Sequence, residues 1–277
     1  MTEILIAVGI LAGLGLVFGF VLAAASKLFY VETDPRLDAL NACLPGANCG
    51  GCGYAGCGAY AEAVLAGEAP IGECASGGNE CAQGMASVMG VEMGEMKRKV
   101  AFVRCSGYQG VDGSGAKRKG DYEGFKNCLV ASTVGGSGPM SCKFGCLGFG
   151  SCVAACKYDA IKVVHGVARV DREKCVGCMA CAKQCPKKLI TAVEYDKQVL
   201  VPCNSLAKGA VTIRGCSRGC IGCNMCAKIC PEDAIAVVNN LAVIDYSKCT
   251  NCGLCAEVCP KKLIESHVEV VPQPQEN

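Results

Sequence analysis

The chain of 277 residues has no Trp, only 5% aromatic residues and two His, so little in it points to an aromatic-anchored core or a His-based metal triad. Each His, at 165 and 267, reads as a surface residue. Charge is nearly balanced, 27 Lys and Arg against 25 Asp and Glu, which indicates neither a nucleic-acid groove nor an acidic tail. No G-x-G-x-x-G follows a strand and no P-loop is present, so there is no nucleotide or flavin domain and no catalytic residue to name. What the chain has instead is 26 Cys, roughly 9% of it, together with 36 Gly. Disulfide frameworks belong mostly to short secreted chains, so ligation of metals or clusters is the better account of so many thiols in a chain this long.

Ile4 through Ala25 is an unbroken run of apolar residues and Gly, about 33 Å long as a helix and enough to cross a bilayer once. Ala23, Ala24 and Ala25 could pass for a signal-peptidase site, but the run is long for a signal peptide and only Glu3 is charged before it. A retained single-pass anchor over 1–29 is expected. Lys27 and Arg36 follow the run, which places the C-terminal part on the cytoplasmic side of the cell (inner) membrane, where thiols stay reduced. Gly9 with Gly13, and Gly15 with Gly19, form small-xxx-small pairs that suit a second helix, although Gly is common in membrane helices in any case.

Cys49, Cys52, Cys57 and Cys74 follow the pattern C-x2-C-x4-C-x16-C, with a short helix expected over 59–66. Four thiolates suit a 4Fe-4S cluster or a structural zinc, and glycines at 50, 51, 53 and 56 would let backbone N–H groups turn toward cluster sulfurs. Farther on the chain repeats itself at an offset of 74 residues: Cys175, Cys178, Cys181 and Cys185 stand over Cys249, Cys252, Cys255 and Cys259, each run followed by Pro-Lys-Lys-Leu-Ile. Cys220, Cys223, Cys226 and Cys230 before Pro231 make C-x2-C-x2-C-x3-C-P, the run of two-cluster bacterial ferredoxins, whose fourth Cys ligates the other cluster. One site is then Cys220, Cys223, Cys226 and Cys259, and the other Cys249, Cys252, Cys255 and Cys230. The segments 160–164 and 234–238 are expected as strands.

The earlier repeat departs from this pattern, because Phe149 stands where Cys223 would be and Lys157 where Pro is usual. The reading adopted is that Cys142 takes the missing place, giving Cys142, Cys146, Cys152 and Cys185 on one cluster and Cys175, Cys178, Cys181 and Cys156 on the other. Zinc remains the alternative for each quartet, but two interlocked quartets occurring twice favour five 4Fe-4S clusters. Cys43, Cys81, Cys105, Cys128, Cys203 and Cys216 are left over and read most simply as small buried hydrophobes. A sixth cluster would draw on Cys128 and Cys203 with Cys105 or Cys216. The Lys pairs at 187/188 and 261/262 would lie beside negative clusters and could guide a redox partner, though solvated Lys on a turn is commoner.

The expected fold is α+β: an anchor (1–29), a single-cluster module (30–92), a linker (93–135), two ferredoxin-like dicluster units (136–200 and 201–268) and a flexible tail (269–277). One amino-terminal membrane helix, then C-x2-C-x4-C-x16-C, then two ferredoxin-type units closely resembles the B subunit of the Rnf membrane complex in its longer form, over nearly the whole chain. The resemblance implies an electron-entry subunit of a ferredoxin:NAD+ oxidoreductase that translocates Na+ or H+, with soluble ferredoxin and the other membrane subunits as partners. The chain alone would be an electron carrier, with NAD+ and flavin on other subunits. A membrane polyferredoxin serving a hydrogenase or a redox-sensor reducing system is the alternative.

Overall fold

The computed structural model describes residues 2–28, 34–107, 115–136 and 138–266, so the expected tail and His267 lie outside the described residues. The apolar N-terminal run forms one helix, α1 (Thr2–Leu28), with Lys27 in its last turn, where a cation complements the helix dipole. Its described side chains face outward, Leu16 and Phe20 being more than three-quarters exposed. Among the described residues no helix is long and apolar enough to cross a membrane. The side chains of α1 are described without a break only from 12 to 27.

Three short helices follow. In α2 (Pro35–Cys43) the Asp34 carboxylate caps the start by accepting from the Arg36 N–H at 2.9 Å, and Pro35 occupies the first turn, where its missing N–H costs nothing. α3 (Cys57–Leu65) begins two residues earlier than expected, and α4 (Gly78–Met89) closes the bundle. Leu40, Tyr60, Val64 and Met85, one or more from each helix, form its fully buried centre.

Next come β1 (Lys99–Val103), α5 (Cys128–Thr133), α6 (Ser151–Ala154), the hairpin of β2 (Ile161–Val164) and β3 (Val167–Val170), α7 (Ala180–Lys183) and β4 (Ile190–Glu194). The order then largely repeats: β5 (Val199–Leu200), α8 (Gly209–Gly215), α9 (Met225–Ile229), the hairpin of β6 (Ile235–Val238) and β7 (Leu241–Ile244), α10 (Leu254–Glu257) and β8 (Glu265–Ser266). β1 pairs antiparallel with β4 from Lys99↔Glu194 to Val103↔Ile190, and β5 pairs in the same way with β8. The stretch 93–135, expected as a linker, therefore carries the first strand of the first unit. Its short apolar run, with Val100, Ala101 and Val103 buried and Phe102 half-buried, goes unseen when only Cys spacing is aligned.

The two units share backbone detail as well as Cys spacing. Left-handed residues recur 74 positions apart, including Asp159 and Asp233, Lys188 and Lys262, and the hairpin turns His165-Gly166 and Asn239-Asn240. Two consecutive positive φ values make each turn type I′, whose twist matches the strands it joins. Gly177 shows where the copies part: a Cβ there would collide with the Lys99 carbonyl oxygen. Its counterpart Asn251 has room for a side chain that accepts from the Gln198 N–H and donates to the Asp196 carbonyl.

Candidate metal centres

All 26 cysteines are free thiols. Among the described residues no three His, Cys, Asp or Glu side chains form a group that could hold a metal ion. The thiols stand instead around cavities. Cys49, Cys52, Cys57 and Cys74 line one of them, with Gly50, Gly51 and Gly56 forming part of its backbone wall. The loop is held by Asn48, whose side-chain oxygen accepts from the Cys57 N–H at 2.8 Å. Cys81, read from sequence as a buried hydrophobe, lies beside Cys74 and lowers its pKa through a side-chain hydrogen bond, which identifies it as a neighbour of this site.

Cys178 reaches the wall of that same cavity from the first ferredoxin-like unit. The Cys181 thiol is pushed up to about 11 by burial and, secondarily, by Cys175, Cys178 and Cys156. The contact between the two parts is built: Lys157 Nζ donates to the carbonyls of Ala47 and Asn48 at 3.4 and 3.3 Å, Lys183 Nζ to that of Gly50 at 3.0 Å, and Tyr158 to Ser76 Oγ at 2.9 Å. Lys157 stands where the other unit has Pro231, and this docking gives the departure from pattern a physical reason. Gly51 keeps this approach open, since a Cβ would press on the Cys178 carbonyl oxygen at 3.0 Å.

The second site of this unit differs from the expected one. Cys146, Cys152 and Cys185 line a cavity whose fourth thiol is Cys128, not Cys142. Burial, and then Cys146, Cys128, Cys181 and Cys185, push the Cys152 thiol up to about 12. Cys128 is the first residue of α5, capped by Asn127, and its N–H donates to Ser151 Oγ at 2.9 Å, tying α5 to α6 and so to Cys152. Phe149, in the place of the absent ligand, packs on Tyr122 with ring centroids 5.1 Å apart. Cys142 is drawn away because the segment around Lys117 bridges two stretches of chain. Ser141 N–H donates to the Lys117 carbonyl at 2.8 Å and Lys117 N–H to that of Gly215 at 2.9 Å, which directs Cys142 toward Cys216.

In the later unit Cys230, Cys249, Cys252 and Cys255 line one cavity. Cys226 is pushed up to about 11 by burial, with Cys220, Cys223 and Cys259 among the further causes. Cys223 and Cys252 are exposed, whereas every other cysteine is buried or half-buried. Several sulfurs accept backbone N–H groups: Cys175 from Ala101 at 3.3 Å, Cys185 from Leu189 at 3.4 Å, Cys230 from Ala234 at 3.3 Å and Cys259 from Leu263 at 3.4 Å. A donor set made only of thiolates, steadied by N–H···S bonds, fits iron–sulfur clusters and tunes their potentials.

Comparison with known proteins agrees with this chemistry. Three family models match: a putative Fe-S cluster over residues 44–76, a 4Fe-4S binding domain over 168–191 and a 4Fe-4S dicluster domain over 219–263. The chain is 45% identical over 250 residues to the B subunit of the Na(+)-translocating ferredoxin:NAD(+) oxidoreductase complex of Acetobacterium woodii, covering 90% of this chain and 74% of that one. It is 41% identical over 267 residues to the B subunit of the ion-translocating oxidoreductase complex of Methanosarcina acetivorans, covering 96% and 99%. With the B subunit of the proton-translocating ferredoxin:NAD(+) oxidoreductase complex of Clostridium ljungdahlii it shares 39% identity over 251 residues, 90% and 87% of the two chains.

Proposed function

The chain belongs to the family of B subunits of ion-translocating ferredoxin:NAD+ oxidoreductase complexes, and on that footing we propose that it is their membrane-anchored electron-transfer arm. It takes electrons from reduced ferredoxin and relays them to the other subunits of a Na+- or H+-translocating complex. Bound clusters supply the one-electron carriers, and the chain fixes their spacing, shielding and potential. Five are assigned: to Cys49, Cys52, Cys57 and Cys74; to Cys156, Cys175, Cys178 and Cys181; to Cys128, Cys146, Cys152 and Cys185; to Cys220, Cys223, Cys226 and Cys259; and to Cys230, Cys249, Cys252 and Cys255.

The observation that carries the reading is the direct seating of the first Cys module on the ferredoxin-like units, with Cys178 on the wall of its cavity and Lys157 and Lys183 holding its loop. At the other end, Cys223 and Cys252 reach the surface. Ferredoxin docks at that exposed end, aided by Lys261 and Lys262. The module next to α1 hands electrons to partners in the membrane. α1 crosses the cell membrane once with the C-terminal part on the cytoplasmic side, as the apolar run from Ile4 to Ala25 and the following Lys27 and Arg36 favour. Removing residues 2–28 is expected to release the chain from carbonate-washed membranes.

The test is the double variant Cys52→Ala/Cys57→Ala in the whole complex. The remaining clusters stay reducible by ferredoxin while NAD+ reduction stops, and unchanged turnover would sink the route.

A further inference from the structure

A cavity of about 320 Å³ lies where the two ferredoxin-like units meet, and four thiols outside the five quartets line it: Cys105 and Cys142 from the first unit, Cys203 and Cys216 from the second. We propose that these four cysteines bind a sixth 4Fe-4S cluster that bridges the two units. The inference rests on the iron–sulfur reading of the other quartets.

The geometry is that of a built site. Cys142 and Cys216 are 74 residues apart, so the duplication itself placed one thiol on each side. Cys105 and Cys203 each follow the first strand of their unit and share its local geometry, with Cys105 N–H donating to Val103 and Cys203 N–H to Val201, both at 2.8 Å. The Ser106 N–H bonds the Pro202 carbonyl at 2.8 Å and joins the two strand ends directly. The sulfurs also receive the donors that cluster ligands receive. Cys105 Sγ accepts from the N–H groups of Gly107 and Cys146 at 3.4 Å each, and Cys203 Sγ from those of Ser205 and Cys220 at 3.5 and 3.4 Å. Cys146 and Cys220 open the first Cys run of their respective units, so each of these bonds links the junction to a neighbouring quartet.

The wall of the cavity is mostly apolar, yet it gathers the buried hydroxyl side chains of the interior. Ser106, Ser205 and Thr212 are the buried polar residues among those described, and all three line it. Arg104, Lys143 and Arg218 line it too, and the buried Nε of Arg218 has no hydrogen-bond partner. A cluster held by four thiolates carries net negative charge, which complements these cations. Four thiols packed only as small hydrophobes would not explain a buried, unpaired Arg218 Nε beside them.

Native mass spectrometry of the anaerobically purified full chain, with iron and acid-labile sulfide analysis, tests the proposal by counting whole clusters. Six clusters, and about 24 irons, are expected in the native chain, and one fewer, with about four fewer irons, in Cys142→Ala/Cys216→Ala. The conservative variant Cys216→Ser is expected to keep most of the iron while shifting one set of EPR lines, and Cys43→Ala to lose none. Five clusters in the native chain, or a zinc ion accompanying five clusters, would overturn the sixth site and leave the five-cluster reading standing. Little iron altogether would overturn both.

Discussion

The two ferredoxin-like units are copies that have come to protect their clusters differently. In the later unit all four places of the run are filled in sequence order and Cys223 reaches the surface. In the earlier unit Phe149 has displaced that ligand, and Cys128 comes in from an insertion, because 36 residues separate Cys105 from Cys142 where only 12 separate Cys203 from Cys216. The cost of ordering a longer loop grows slowly with its length, so such an insertion is tolerated once it contributes a contact worth having. The substituted site is also covered, since Cys128 is buried and α5 lies over it. The later unit thus leaves a thiol of its run at the surface, whereas the earlier unit buries the thiol that stands in for it.

The sharpest way to break this comparison is to remove the substitute ligand. Cys128→Ala is expected to delete one cluster, about four irons, and to stop NAD+ reduction by the assembled complex. The double variant Cys128→Ala/Cys142→Ala is expected to lose two clusters by native mass spectrometry. A loss of only one would mean that the two thiols share a site.

Giving the earlier unit the spacing of the later one tests the same point from the other side. Phe149→Cys in the Cys128→Ala background recreates C-x2-C-x2-C-x3-C and should return the missing cluster, with iron content as the readout. The relief is expected to be partial, because the ring of Phe149 leaves its place against Tyr122.

Two further exchanges between the repeats should separate the backbone demands that they share from those they do not. Gly177→Asn copies the later unit into the earlier one but drives a Cβ into the Lys99 carbonyl, and should cost about 2 kcal/mol or more, roughly 4–8 °C in the midpoint of thermal cluster bleaching. Gly150→Asn copies Asn224 in the same sense, yet meets only ordinary side-chain contacts at 3.8–3.9 Å in a left-handed conformation that Asn adopts readily. It should cost no more than about 1 kcal/mol, and a larger shift than that of Gly177→Asn would show that strand contact is not what separates the units.

Much of this was legible in the amino-acid order. A 4Fe-4S site needs several thiolates close together, and local turns deliver them, so C-x2-C-x2-C-x3-C and C-x2-C-x4-C announce themselves wherever they occur. The strands at 160–164 and 234–238 followed from short runs rich in Ile and Val, and the structure places them at Ile161–Val164 and Ile235–Val238. The helix read over 59–66 began only two residues early. What could not be read was the partner of an incomplete run. Cys142, closer in sequence to Cys146, was the natural choice on spacing, but hydrogen bonds through Lys117 turn it toward the other unit. The one signal that pointed to Cys128 was its position in an insertion unique to the unit that lacked a ligand.

The sequence by itself determined the duplication and the Cys runs, because each run lies within a few turns of chain and the repeat is visible in residue order. Tertiary structure decided which distant thiol completes the broken run, that Lys157 and Lys183 seat the first module against Cys178, and that Cys105, Cys142, Cys203 and Cys216 face one cavity. These choices join positions far apart along the chain. No local propensity encodes them, and they arise only when strand pairing and the packing of one unit on the other bring those positions into contact.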